Sequence, residues 1–273
     1  MESLGTTLKN QLGALTQRSN PEKDLEALEV EQFDHIQLTE EETKEALRVA
    51  REAKHYLIER EKYNEKLRAE RAAVKYTWEE IMGFYRERFT IDPDNEEIVI
   101  NLCKYFACDD GFKGDSNKGL LLFGGVGIGK STLMQFFTRN QKASFRLINC
   151  RDIESDFSSD GEKSVQNCSY NIKIATNSDR FGHTEMGFCF DDLGTEANGK
   201  HYGKEKNVMA EILLNRYQNI VDERGKCVGK WTHVTTNLSA DELMTQYGSR
   251  VIDRMKEMFN IIVFPENAKS RRS

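Results

Sequence analysis

Residues Gly124-Gly125-Val126-Gly127-Ile128-Gly129-Lys130-Ser131 fit the pattern G-x-x-x-x-G-K-[ST]. The chemistry open to such an octamer is the capture of a phosphate chain. Glycines let the backbone turn tightly, so that successive N–H groups point at one anion. An apolar run, Leu120-Leu121-Leu122-Phe123, precedes the octamer, and a helix-compatible stretch from Thr132 to Phe137 follows it. Strand, glycine loop and helix is the context a phosphate cradle requires, and the helix adds the positive end of its dipole. Lys130 can reach the β- and γ-phosphates of ATP, and the Ser131 hydroxyl can ligate Mg²⁺. Gly124 through Thr132 are therefore the expected nucleotide-binding residues.

A second segment, residues 186–196, is an apolar strand, Met186-Gly187-Phe188-Cys189-Phe190, that ends in two adjacent carboxylates, Asp191 and Asp192. At the C-terminal end of a parallel strand such carboxylates face the ligand crevice. Asp191 is expected to orient Mg²⁺ through its water shell, and Asp192 to polarise a water for in-line attack on the γ-phosphate. An Asp pair standing alone reads equally well as a turn or a helix cap. Its place downstream of a phosphate-binding loop gives it the chemical reading.

These groups need a scaffold that holds strand ends side by side. Strands are expected near 119–123, 145–150, 186–190, 231–236 and 260–264, and helices near 130–140, 205–222, 239–246 and 249–257. Strands alternating with helices mean an α/β fold, a parallel five-stranded sheet between helices. Ahead of it, Thr39-Glu40-Glu41-Glu42 is a capping box that opens a long helix to about Val74. Charges of both signs crowd that helix, and Leu47, Leu57, Tyr63 and Leu67 give only a thin apolar line. Two further helices are expected: one from the box Thr77-Trp78-Glu79-Glu80 to about Phe89, the other from Asp94-Asn95-Glu96-Glu97 to about Phe106. Residues 1–38 are polar, with Asn20-Pro21 as a breaker. The expected division is a helical extension over 1–75 and an ATPase domain over 76–273, with a helical lead-in to 118.

Composition narrows the function classes. With 31% charged residues and only 3 prolines the chain reads as helix-rich. It offers no membrane-length apolar run and no signal-peptide core, so the expected location is the cytoplasm. None of the six cysteines forms C-x-x-C, and no Cys/His grouping has zinc-ligand spacing. A net charge of −6 speaks against nucleic-acid binding over the whole surface. The densest basic cluster is Lys269-Ser270-Arg271-Arg272-Ser273.

Phe190-Asp191-Asp192-Leu193-Gly194-Thr195-Glu196 resembles the Walker B segment of AAA+ ATPases of the DnaC-type helicase loader and IstB-like transposition helper group. Val234-Thr235-Thr236-Asn237-Leu238-Ser239 is similar to that group's sensor 1 strand. Tyr247-Gly248-Ser249-Arg250-Val251-Ile252-Asp253-Arg254-Met255 is similar to its box VII, G-x-R-x-x-x-R. Ile261-Ile262-Val263-Phe264 and the basic end resemble its last strand and sensor 2. The resemblance spans about residues 100–273 and implies the AAA+ (ASCE) form of the P-loop NTPase fold. It also implies that Asn237 holds a water or a γ-phosphate oxygen. ATP would sit between subunits, with Arg250 reaching across as an arginine finger. Arg254 is the alternative finger or a structural partner. Arg271 and Arg272 both fit sensor 2, and Arg272 joins the expected nucleotide-binding set. An arginine finger is worth about 10³–10⁵ in rate, or ~4–7 kcal/mol. Asp-Asp, where many AAA+ proteins carry Asp-Glu, implies slow hydrolysis suited to a timing switch.

The function implied is an ATP-dependent loader of a replicative DNA helicase. The helical arm would grip the helicase, and the ATPase domain would self-associate and contact single-stranded DNA. In the related group, residues 152–180 are where an extra helix for single-stranded DNA is found. Here the stretch has few basic residues, and its charge lends that role no support. An IstB-like helper assembling on duplex DNA, and a slowly hydrolysing nucleotide-switched adaptor, are the alternative readings. A small-molecule kinase would need an acceptor site and lid arginines, for which the sequence shows no pattern.

Overall fold

The computed structural model describes residues 37–175, 179–196, 199–201, 204–220, 229–266 and 268–271. Residues 1–36, Cys227 and Arg272 lie outside the described residues. The chain divides into two compact units, Met1–Lys66 and Leu67–Ser273. Helix α1, Glu40–Ala72, begins in the first and ends in the second. Thr39 starts it as expected: the Glu42 N–H donates to Thr39 Oγ1 at 3.3 Å, and Glu42 Oε2 accepts from the Thr39 N–H at 2.9 Å. None of its residues is buried. Leu47, Tyr56, Leu57, Ile58 and Tyr63 all stand exposed along it.

Two helices open the second unit. Helix α2, Trp78–Arg86, is started by the Thr77–Glu80 capping box. Helix α3, Glu96–Ala107, starts differently from expectation. Asn95 is its N-cap but makes no side-chain cap bond. The buried Asn95 amide instead ties the preceding turn, accepting from the Asp92 N–H at 3.0 Å and donating to Thr90 O at 3.0 Å. Its alternative bonds win because they satisfy the backbone of a tight 90–95 connection around Pro93.

The sheet contains β1 (Gly119–Phe123), β2 (Phe145–Asn149), β3 (Ile172–Lys173), β4 (Glu185–Leu193), β7 (Thr232–Thr236) and β8 (Phe259–Val263). Five strands run parallel in the order β2-β4-β7-β1-β8, while β3 pairs antiparallel with the start of β4. A separate ribbon pairs β5 (Gly199–His201) with β6 (Lys204–Lys206). The five parallel strands match those expected from the sequence, and β3, β5 and β6 add to them. With β1 leading into the glycine loop and helices on both faces, this is an α/β P-loop fold with a helical N-terminal region.

Alternation along β1 feeds two cores. Leu120 and Leu122 pack with α3 and with α4 (Lys130–Phe136), against Val99, Leu102, Phe106, Leu133 and Phe137. Leu121 faces the other side, where α5 (Cys150–Asp160), α6 (Glu162–Ser169), α7 (Val208–Ile220) and α8 (Ala240–Met258) supply Ile153, Phe157, Val165, Ile212, Leu243 and Val251. Helix α4 stops at Phe136, four residues before its expected end. The Asn140 side chain bonds Phe137 O and Ala143 O and accepts from the 142 and 143 amides, turning the chain toward β2. Helix α8 combines the two helices expected at 239–246 and 249–257, with a break at Gly248 (φ 78°, ψ 165°). Such a φ strains any residue with a Cβ, so glycine marks the bend.

Candidate nucleotide site

The octamer wraps around its own lysine. Lys130 is 4% exposed, and its Nζ donates to Gly124 O at 2.7 Å, Gly125 O at 2.8 Å and Asn237 Oδ1 at 2.6 Å. Gly129 precedes it at φ 96°, and a Cβ there would meet the Phe89 ring at 2.9 Å. Positive φ and a close approach both demand glycine at this point. A cavity of about 290 Å³ opens in front of the loop, lined by Gly127, Gly129, Lys130, Ser131, Thr132, Asp192 and Asn237 among others. Of the remaining octamer side chains, Val126 is exposed and Ile128 is buried in the core.

The strand order brings the chemistry together. Because β7 lies between β1 and β4, Asn237, just past β7, falls between the loop and the carboxylates. Its Nδ2 donates to Asp192 Oδ1 at 3.0 Å while its Oδ1 holds Lys130. Adjacent residues of a regular strand point to opposite faces. Here the β4–β7 register slips between Phe190 and Leu193, and Asp192 takes φ 55°, a conformation Asp tolerates better than most residues. Thr235, opposite the bulge, binds both members of the pair. Its Oγ1 donates to Asp191 Oδ1 at 2.5 Å and accepts from the Asp192 N–H at 3.0 Å. The Ser131 hydroxyl lies close enough to the Asp191 carboxylate to favour its charged form. Burial pushes the Asp191 carboxyl above the usual range, with the neighbouring Asp192 charge adding to it. The Thr235 bond, the Ser131 hydroxyl and the Lys130 charge pull it back.

No group of three or more His, Cys, Asp or Glu among the described residues could hold a metal. Mg²⁺ at a triphosphate site needs only one or two protein oxygens, with phosphates and waters supplying the rest. The Ser131 and Asp191 side-chain oxygens fit that demand.

One wall of the cavity was not legible beforehand. Arg88, Phe89 and Thr90, from the turn tied by Asn95, face the loop from the α2 side. The other addition is Arg271. Its backbone N–H donates to Gly127 O at 2.8 Å, and its Nη1 to Ile128 O at 2.8 Å. Its Nη2 meets Asp92 Oδ1 at 2.7 Å and Oδ2 at 2.6 Å, holding the Asp92 carboxyl below its usual range. Of the two arginines that fit sensor 2, Arg271 lies on the loop, and Arg272 is outside the described residues.

Arg250 and Arg254, on the segment that resembles box VII, have different surroundings. Arg254 stacks over the Tyr217 ring at 4.5 Å, donates to Tyr217 Oη at 3.2 Å and pairs with Glu257 at 3.0 Å. Arg250 is exposed and has no partner among the described residues. Neither lines the cavity. Buried Glu196 links the loop after β4 to the start of the same segment. It accepts from the Gly194 N–H at 2.8 Å and from the Tyr247 hydroxyl, with burial raising both groups. The polar 152–180 stretch forms α6 and most of α5, which the sequence reading did not foresee.

No family model matches the chain, and no curated protein matches it. Among solved structures, the chain is similar to the crystal structure of the DnaC helicase loader. The identity is 16%, with 66% of this chain and 94% of that chain covered, and the TM-score is 0.43.

Proposed function

We propose that this chain is a Mg²⁺-dependent ATPase of the helicase-loader type, which binds ATP in the cavity before Lys130 and hydrolyses it slowly until it assembles. The observation that carries the nucleotide reading is the run Lys130–Asn237–Asp192, groups from the start of α4, the end of β7 and the end of β4 joined by bonds of 2.6 and 3.0 Å. Lys130 and the loop amides would bind the β- and γ-phosphates, and a ligand would take over the lysine's bonds to Gly124 O and Gly125 O. Ser131 and Asp191 would hold Mg²⁺, which when bound neutralises charge on the phosphate oxygens. Asp192 would orient the attacking water and accept its proton, with Asn237 fixing the Asp192 carboxylate. Arg271 would cover the loop in the sensor 2 position.

The loader reading rests on the residues that resemble sensor 1 and box VII and on the helical arm. Exposed Tyr56, Leu57, Ile58 and Tyr63 give α1 an apolar surface suited to a partner. Exposed Arg250 is free to reach a neighbouring subunit's nucleotide. Single-stranded DNA is the proposed third component. Co-purification with the organism's replicative helicase, with and without a slowly hydrolysed ATP analogue, tests the reading. Nucleotide-dependent capture supports it. Capture of a transposase on duplex DNA would replace it with the transposition-helper reading.

A further inference from the structure

A second cavity, of about 370 Å³, lies beside the nucleotide site, between α2, the C-terminal end of α4 and the 179–181 turn. Aromatic rings dominate it. Tyr76 meets Phe84 and Phe181 edge-on, each at 6.2 Å between centroids and 85° between planes. Phe84 is 52% exposed, a large apolar side chain left on the outer face of a short helix.

Its charge is one-sided. Arg88, Arg139 and Arg180 all line it, and no described carboxylate does. Asp179, on the turn beside Arg180, is fully buried and already committed. Its Oδ1 accepts from the 181 and 183 amides, and its Oδ2 faces Arg139 at 3.5 Å. Arg180 lies over the Tyr76 ring at 5.3 Å and bonds its hydroxyl, so its plane is fixed. Arg88 has no partner among the described residues. The amides on the wall are spent on backbone groups: Asn140 on Phe137 O and Ala143 O, Gln141 on Tyr76 O and Ala107 O. With Arg139 ion-paired to Asp179, the Arg88 guanidinium, the remaining N–H groups of Arg180 and the ring edges are what is left to meet an occupant.

We infer that this cavity docks a protein partner through an aromatic side chain flanked by carboxylates. The ring fills the space between Phe84, Phe136 and Phe181, and the carboxylates meet the arginines. Aromatic anchors and arginine are the side chains that dominate protein interfaces, and guanidinium–carboxylate pairing adds direction. A nucleic-acid strand fits less well. Glu79, Glu80 and Glu87 stand exposed on or just after the same helix and repel an extended polyanion more than a short anchor that ends in the cavity.

The test uses the full chain and a blocked, fluorescently labelled pentapeptide with phenylalanine between aspartate and glutamate, read by anisotropy. The expected result is saturable binding. It weakens at least fivefold when the peptide's phenylalanine becomes alanine, when its acids become amides, or when the protein carries Phe84→Ala or Arg180→Gln. Phe84→Trp should retain binding. Phe84 is solvent-facing, so its replacement leaves the fold in place, and an unchanged thermal unfolding midpoint verifies this. Equal binding by the control peptides, or by folded Phe84→Ala, overturns the assignment. Displacement of the peptide by a twelve-nucleotide oligothymidylate would overturn it in favour of nucleic acid. Nucleotide binding at Lys130 is measured separately, and its failure would leave this result standing.

Discussion

Thr235 serves both acidic residues of the site at once, donating to Asp191 at 2.5 Å and accepting from the Asp192 backbone at 3.0 Å. It is completely buried, so no water can replace it. Thr235→Val keeps the shape and removes the hydroxyl. The Asp192 N–H then loses its acceptor inside the sheet, at a cost of about 1–3 kcal/mol. Asp191 loses a bond that favours its charged form, so its carboxyl rises further. Urea unfolding should show the loss of stability, and turnover should need more Mg²⁺. A variant as stable and as Mg²⁺-responsive as the parent would deny Thr235 this double role.

Lys130 and Asn237 touch at 2.6 Å, yet their replacements should separate binding from chemistry. Lys130→Ala removes the cation inside the loop and should abolish ATP binding, measured with a fluorescent analogue. Asn237→Ala removes one bond to Lys130 but leaves the loop itself and the lysine's bonds to Gly124 O and Gly125 O in place. It should keep affinity within a few-fold and lower turnover by about 10²–10³, the scale set by losing one preorganised polar group. Unchanged affinity in Lys130→Ala would remove the assignment of the loop.

Local chemistry is what the sequence made legible. The octamer is readable as a short run whose residue types have few other joint explanations, the Asp pair through its place downstream of that run, and Asn237 through its resemblance to a sensor 1 strand. The five parallel strands followed from apolar runs of strand length. What stayed hidden depends on the fold. Asp92 and Arg271 are 179 positions apart, and no spacing rule connects them. Arg88 and Phe89 reach the cavity only because Asn95 spends its amide on the 90–95 turn and not on α3. Helix α5 was hidden because Ile153 and Phe157 are its only large buried side chains in a polar stretch. Helix α4 ended early because Asn140 captured the backbone groups a further turn would have used.

The Asp92–Arg271 clasp predicts an acid limb in stability. The Asp92 carboxyl sits below its usual range in the folded protein, chiefly because of the Arg271 hydrogen bonds. In the unfolded chain it titrates near ~3.9. A depressed folded value means the contribution is present in full above the unfolded value. It fades as pH falls through the folded one. Thermal unfolding midpoints of the parent and of Asp92→Asn should therefore differ at pH 6, and the gap should narrow as pH falls below about 4. A constant gap across that range would show that the clasp adds nothing through charge.

Arg250 and Arg254 lie one turn apart but are held differently, and that difference decides which one can act across an interface. Arg254 is committed to Tyr217 and Glu257 within its own subunit. Arg254→Ala should cost about 1 kcal/mol of stability through the lost stacking and bonds. Arg250 is exposed, so Arg250→Ala should change stability by no more than about 0.5 kcal/mol. If it reaches a neighbour's γ-phosphate, the same change should lower assembly-stimulated turnover by about 10³ or more while sparing ATP binding. A mixing experiment isolates the trans role. Lys130→Ala subunits have no working site but still carry Arg250, and Arg250→Ala subunits have the site but lack the arginine. Each variant alone should be nearly inactive. Their mixture should regain turnover at interfaces that pair an intact site with an intact arginine. A mixture as inactive as its components would place the stimulating arginine elsewhere or deny the shared site.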